Sequence, residues 1–198
     1  MKKDAYHTAL RSGKIEDATP CDSFESDGVK AFSWDLMLGW SGRHHDAEAV
    51  YMEIPWPGGF RVFEERAGFG NEDDRSYRRL IQKVADMVLD FDGPVAIVHP
   101  TKIAKEWRGD FRHYKSQLDG HGKGHECGIT IWGDSAIPMG TSDEVLIYLV
   151  NHYGKIADAA CGYGRTGKVV KAMGGECILS DYNRNCIGYI RDHWSTWP

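Results

Sequence analysis

Residues 155–181 read KIADAACGYGRTGKVVKAMGGECILSD. A short apolar run, KIADAA, enters the glycine-rich CGYGRTG; KVVKAM continues with helical character, GG stops it, and ECILSD is again apolar and strand-like. Strand, loop, helix, turn and strand in succession form a βαβ unit, whose two strands lie parallel. Glycine at 162 and 164 lets backbone come close to a ligand, and the carboxyl end of a parallel strand is where ligands of such sheets lie. A tight βα turn with no ligand would use the same residues. Asp181 closes the second strand, 19 positions after Gly162. A carboxylate there can accept hydrogen bonds from both hydroxyls of a ribose, although Asp is also a good cap for a helix over about 184–193.

Position in the chain narrows the choice. Gly162, Gly164 and Gly167 also satisfy GxGxxG, but a dehydrogenase-type nucleotide domain begins with this loop, and only 17 residues follow Asp181. The rest of the sheet must therefore come first. EAVYME at 48–53 reads as a strand running into IPWPGG, and PVAIV at 94–98 and GITIW at 128–132 read as two more. From Asp74, the apolar positions Tyr77, Leu80, Ile81, Val84, Met87 and Val88 recur at three and four, which predicts an amphipathic helix capped by Asp73 or Asp74. Thr141-Ser142-Asp143-Glu144 is a capping box, so a helix runs from there to about Tyr153 and stops at Gly154. Strands alternating with helices predict an α/β domain with a mainly parallel sheet, helices on both faces and the cofactor-binding half at the C-terminus.

One domain over 1–198 fits the length. Residues 1–30 are poorly specified, and 100–128 form an irregular basic insert. With 41% hydrophobic and 27% charged residues the chain is neither disordered nor collagen-like. Its longest apolar runs, such as Val145 to Val150, fall far short of the ~20 residues of a membrane span. Met-Lys-Lys-Asp opens no signal peptide, and five cysteines without a CxxC pair suit a reducing compartment, so the expected location is cytoplasmic. A net charge of -5 provides no overall attraction to nucleic acid.

IADAACGYGRTG followed by LSDYN resembles motif I and the next acidic strand of the S-adenosylmethionine-dependent amino-methyltransferases that act on DNA, a DPFxGSGTT-like loop. Where that motif is C-terminal in the family, an upstream strand ends in the catalytic (D/N/S)PP(Y/F/W) motif. EIPW at 53–56 stands in that place, about a hundred residues earlier. The resemblance covers roughly 46–192 and implies a Rossmann-like methyltransferase fold with S-adenosylmethionine (SAM) as cofactor. It implies cofactor binding by Asp158, Ala160, Cys161, Gly162, Gly164 and Asp181. It further implies methyl transfer to an exocyclic amine of a base, most simply adenine N6 in DNA. Glu53 is then the side-chain acceptor for the amine, Ile54 offers its carbonyl, Pro55 fixes the turn and Trp56 stacks on the base. Glutamate is one methylene longer than the Asp or Asn of the pattern, and isoleucine replaces its first proline. The alternative is therefore a catalytically impaired regulator that binds SAM or nucleic acid with the same fold.

Between 102 and 123, six Lys or Arg residues face three acids, interleaved with Trp107, Phe111 and Tyr114. Lys102, Lys105, Arg108, Arg112 and Lys115 are the candidates for phosphate contact, on a DNA whose target base is flipped out or single-stranded. A solvated charged loop would look the same. So small a recognition region implies a short target and suits a phage or mobile element. His121, His125 and Cys127 hold donor atoms but lack an evident fourth ligand, so no metal is expected. Trp34 and Trp40 read as core or lid residues, and nothing here sets an oligomeric state.

Overall fold

The computed structural model describes residues 18–56, 74–117 and 126–198. They form one eight-stranded sheet: β1 (Ser23–Ser26), β2 (Val29–Ser33), β3 (Ala49–Glu53), β4 (Val95–His99), β5 (Phe111–Gln117), β6 (Glu126–Trp132), β7 (Lys155–Asp158) and β8 (Glu176–Asp181). Four α-helices accompany it: α1 (Asp74–Leu89), α2 (Ser142–Tyr153), α3 (Arg165–Ala172) and α4 (Arg184–His193). No helix among the described residues is long and apolar enough to cross a membrane.

The strand order is β1-β2-β8-β7-β3-β4-β6-β5. β2, β8, β7, β3 and β4 run parallel to their neighbours in that series, while β1 pairs antiparallel with β2, and β6 antiparallel with both β4 and β5. The last two strands of the chain thus occupy the middle of the sheet. From β7 the chain crosses through α3 to β8 on one side; from β3 it crosses to β4 on the other. Right-handed crossovers in opposite directions put their helices on opposite faces. Accordingly, α2, α3 and α4 pack on one face with Tyr51, Ile156 and Leu179, and α1 packs on the other with Val50, Met52 and Ile97. This is the Rossmann-like α/β arrangement expected, and the junction of β7 with β3 is its topological switch point, where ligands bind.

Burial on both faces explains why the central strands are continuously apolar. Val50, Tyr51 and Met52 are fully buried in succession, as are Val95 to Val98. Each large side chain so removed from water contributes roughly 1.5–3 kcal/mol. α1 presents the six apolar positions read from the sequence, all of them buried. The capping box forms as predicted: Thr141 Oγ1 accepts from the Glu144 amide at 3.3 Å, and Glu144 Oε2 accepts from the Thr141 amide at 2.8 Å. Gly154, at φ 72°, ends α2.

Two stretches differ from expectation. Residues 111–117, expected to be irregular, form edge strand β5, paired with β6 over seven residues. Its exposure alternates weakly and its side chains are polar or amphipathic, so no apolar period marks it. Residues 18–33, read as poorly specified up to position 30, contain the β1–β2 hairpin. Its turn is Asp27-Gly28, with Gly28 at φ 74°. Asp-Gly is itself a hairpin signal and was the available clue.

Candidate functional site

The glycine loop begins at the end of β7. Asp158 is buried, its Oδ1 accepting from the Ala160 amide at 3.0 Å and its Oδ2 from Thr166 Oγ1 at 2.5 Å. Its carboxylate therefore staples the two ends of the loop together from behind. Burial pushes its pKa up to about 7, partly offset by those two hydrogen bonds. The Cys161 amide donates to the Ser180 carbonyl at 3.0 Å, which extends the β7–β8 pairing into the loop. Gly162 has φ 50° and Gly164 φ 77°, the left-handed region that suits glycine. The two glycines differ in what surrounds them. A Cβ on Gly162 would meet nothing within 4 Å, whereas one on Gly164 would lie 2.5 Å from the Trp197 ring. Gly164 is thus required for packing, and Gly162 leaves an open face.

Asp181, half-buried at the end of β8, accepts from the Gly162 amide through Oδ2 at 3.0 Å and from the Asn183 amide through Oδ1 at 2.9 Å. Burial raises its pKa to about 6. The cap of α4 is Asn183, whose side chain accepts from the Asn185 amide, so Asp181 is not spent on capping that helix.

The turn after β3 stands beside this loop, because β3 and β7 are adjacent. The Ile54 amide donates to the Val98 carbonyl at 3.1 Å, carrying the β3–β4 pairing one step further. The Ile54 side chain is fully buried in the α1 face, where it takes the place of the pattern's first proline. Tyr77 donates to the Pro55 carbonyl at 2.9 Å. Trp56 is half-buried and packs against the opposite face's core. Glu53 is anchored: its Oε1 accepts from the Tyr51 hydroxyl at 2.7 Å and forms an ion pair with Arg165 Nη1. Arg165 Nη2 in turn pairs with Asp143 and donates to Ser142 Oγ at 3.3 Å. Burial raises the Tyr51 pKa, which keeps its hydroxyl a donor. Sequence reasoning missed Arg165 and Asp143. Arg165 follows Gly164 directly, the one local sign that it belongs to the site.

The five basic candidates do not form one surface. Lys102 and Lys105 are exposed on a 3-10 turn, Thr101–Glu106, just beyond the carboxyl end of β4. Lys115 pairs across β6 with the level of His99, also at that end, and makes an exposed ion pair with Glu126 at 3.1 Å. Arg112 lies level with Ala96, further toward the amino end of β4, and its Nη2 donates to the Asp134 and Ile137 carbonyls at 2.8 and 2.9 Å. Arg108 pairs with Asp86 at 3.3 Å. His121 and His125 lie outside the described residues; Cys127 is buried in the core.

At the end of β4, His99 is fully buried, its Nε2 2.7 Å from Thr130 Oγ1 and accepting from Trp107 Nε1 at 3.1 Å. Since Trp donates only, that nitrogen is unprotonated, and Nδ1–H donates to the Pro100 carbonyl at 2.9 Å. Burial lowers its pKa to about 4.

Fold and site together define an α/β crevice at the switch point of the sheet, with a glycine loop and an acidic strand end on one side and a proline turn on the other. No family model and no curated protein matches the chain. Among solved structures, it is similar to M1.HpyAVI at 10% identity and a TM-score of 0.49, over 84% of this chain and 98% of that one. A complex of M1.HpyAVI with SAM aligns at 11% identity and a TM-score of 0.46, over 83% and 98%. TTHA0409, a putative DNA modification methylase from Thermus thermophilus, aligns at 9% and 0.47, over 82% and 91%. The fold assignment rests on the strand order.

Proposed function

We propose that the chain transfers a methyl group from SAM to an exocyclic amine of a nucleic-acid base, adenine N6 in DNA. One observation carries this reading: the EIPW turn and the glycine loop, a hundred residues apart, stand side by side on neighbouring strands at the switch point. The residues present suit the cofactor. Gly162 leaves room beside the loop, and the Asp181 carboxylate, held by the Gly162 and Asn183 amides, stands at the loop as an acceptor for ribose hydroxyls. Five free cysteines suit a reducing, cytoplasmic setting.

When bound, the cofactor would supply a sulfonium methyl for attack by the amine's lone pair, the C–S electron pair leaving on sulfur and the surplus amine proton passing to solvent water. The lone pair of an aromatic amine is conjugated into the ring, so acceptors must grip its hydrogens and turn it outward. Glu53 and the Ile54 carbonyl are those acceptors. Pro55, held by Tyr77, stiffens the turn, and Trp56 stacks on the base. A base within a duplex is flipped out first.

Incubation with labelled SAM and single- or double-stranded DNA, followed by digestion to nucleosides, tests this. Label on N6-methyladenine is expected; no label on any base with several DNAs overturns it. The engagement of Glu53 Oε1 by both Arg165 and Tyr51 favours a second reading, a SAM-binding or nucleic-acid-binding regulator without turnover. SAM affinity by calorimetry with no labelled product selects that one.

A further inference from the structure

We propose that Arg165 is a positioning residue for Glu53, and that Asp143 balances the charge Arg165 brings to the site. The inference rests on the methyl-transfer reading above. A glutamate has one more rotatable bond than an aspartate, so its carboxylate needs holding if it is to grip an amine at fixed geometry. Arg165 Nη1 and the Tyr51 hydroxyl converge on the same oxygen, Oε1. Two anchors on one oxygen, from a buried strand and from the first residue of a helix, fix the direction of the other. Oε2 is then the atom that accepts from the amine. Arg165 also stands at the position of the first Thr in the DPFxGSGTT-like pattern, so the longer basic side chain of the loop meets the longer acidic side chain of the EIPW turn.

A guanidinium on its own would oppose the positive charge that an amine nitrogen acquires as its new bond forms. The second carboxylate, Asp143 on Nη2, leaves the three groups with one net negative charge. That restores attraction for the developing cation. The same fork joins the end of β3, the start of α2 and the start of α3 into one unit.

The test compares wild type with Arg165→Ala, Arg165→Lys, Asp143→Asn, Glu53→Gln and the Arg165→Ala/Glu53→Gln double variant. Methyl transfer, SAM affinity by calorimetry and melting temperature are read on each. Arg165→Ala is expected to lower kcat by about 100-fold while KM for DNA and SAM affinity change by less than about threefold. Arg165→Lys recovers about tenfold of that loss, since it keeps the charge but not the fork. Asp143→Asn lowers kcat by about tenfold. The double variant's melting shift is smaller than the two single shifts combined. Retained kcat in Arg165→Ala, or a parallel loss of SAM affinity, overturns the positioning role, as do additive melting shifts with an active wild type. Absence of transfer by the wild type overturns the methyl-transfer reading and, with it, the positioning role of Arg165.

Discussion

The phenolic hydroxyl of Tyr77, in α1, donates to the carbonyl oxygen of Pro55 at 2.9 Å, so the helix on one face of the sheet holds the turn at the end of β3. Pro55 has no amide hydrogen, and the tie through its carbonyl stands in for the pairing a strand would continue. Tyr77→Phe should cost about 1 kcal/mol in denaturant unfolding. It should also lower kcat for methyl transfer by about tenfold, with SAM affinity unchanged. Unaltered kcat would mean that the turn keeps its shape without this hydroxyl.

Gly162 and Gly164 have similar left-handed backbones and opposite surroundings. Gly162→Ala should cost only the strain of its φ, about 1–2 kcal/mol, and leave a folded protein. Its methyl group would occupy the open face of the loop, so SAM affinity should fall more than tenfold. Gly164→Ala adds a collision with Trp197 to the same strain, typically about 1–3 kcal/mol more. Melting curves and calorimetry on the pair check this, and equal stability losses would contradict it.

Much of this was legible from residues 155–181, because glycines, apolar runs and a helix stop are local signals that tertiary packing did not override. The same holds for α1 and for the capping box of α2. Strand β5 was hidden because an edge strand carrying Arg112, His113 and Lys115 has no apolar face to display. The link between Glu53, Arg165 and Asp143 joins three elements whose adjacency depends on the strand order, and no local pattern encodes it.

Asp158, ordinarily ionised above pH 4, has its pKa raised to about 7 by burial. Between about pH 4 and 7 the folded protein holds a proton that the unfolded chain has released, so this residue's contribution to stability falls as pH rises through that window. The loss approaches about 4 kcal/mol at most. Asp158→Asn cannot ionise, so the stability difference between wild type and variant should move in the variant's favour from pH 5 to pH 8. A difference independent of pH would contradict the assignment.

His99 has the opposite sign. Its pKa is lowered to about 4, so between pH 6.5 and 4 the unfolded chain binds a proton that the folded protein does not. Acidification through that window should therefore remove up to roughly 3 kcal/mol of stability. His99→Gln, at some cost in packing at neutral pH, should flatten the acid limb of a melting profile. An unchanged acid limb would assign it to other groups.

The basic segment separates into residues free to meet phosphates and residues committed to the fold. Lys102 and Lys105 are exposed beside the carboxyl end of β4 and have no acidic partner among the described residues. Arg112 satisfies two backbone carbonyls through one nitrogen. Lys102→Glu with Lys105→Glu should weaken single-stranded DNA binding and reduce the slope of log affinity against log salt by about 1.4, at ~0.7 per lost phosphate contact. Arg112→Ala should instead cost about 1–3 kcal/mol of stability by leaving carbonyls unpaired, with DNA affinity and salt slope unchanged. Binding titrations at three salt concentrations distinguish the two. If Arg112→Ala shifted the salt slope as much as the double lysine variant, the phosphate path would have to run along β5 rather than across the end of β4.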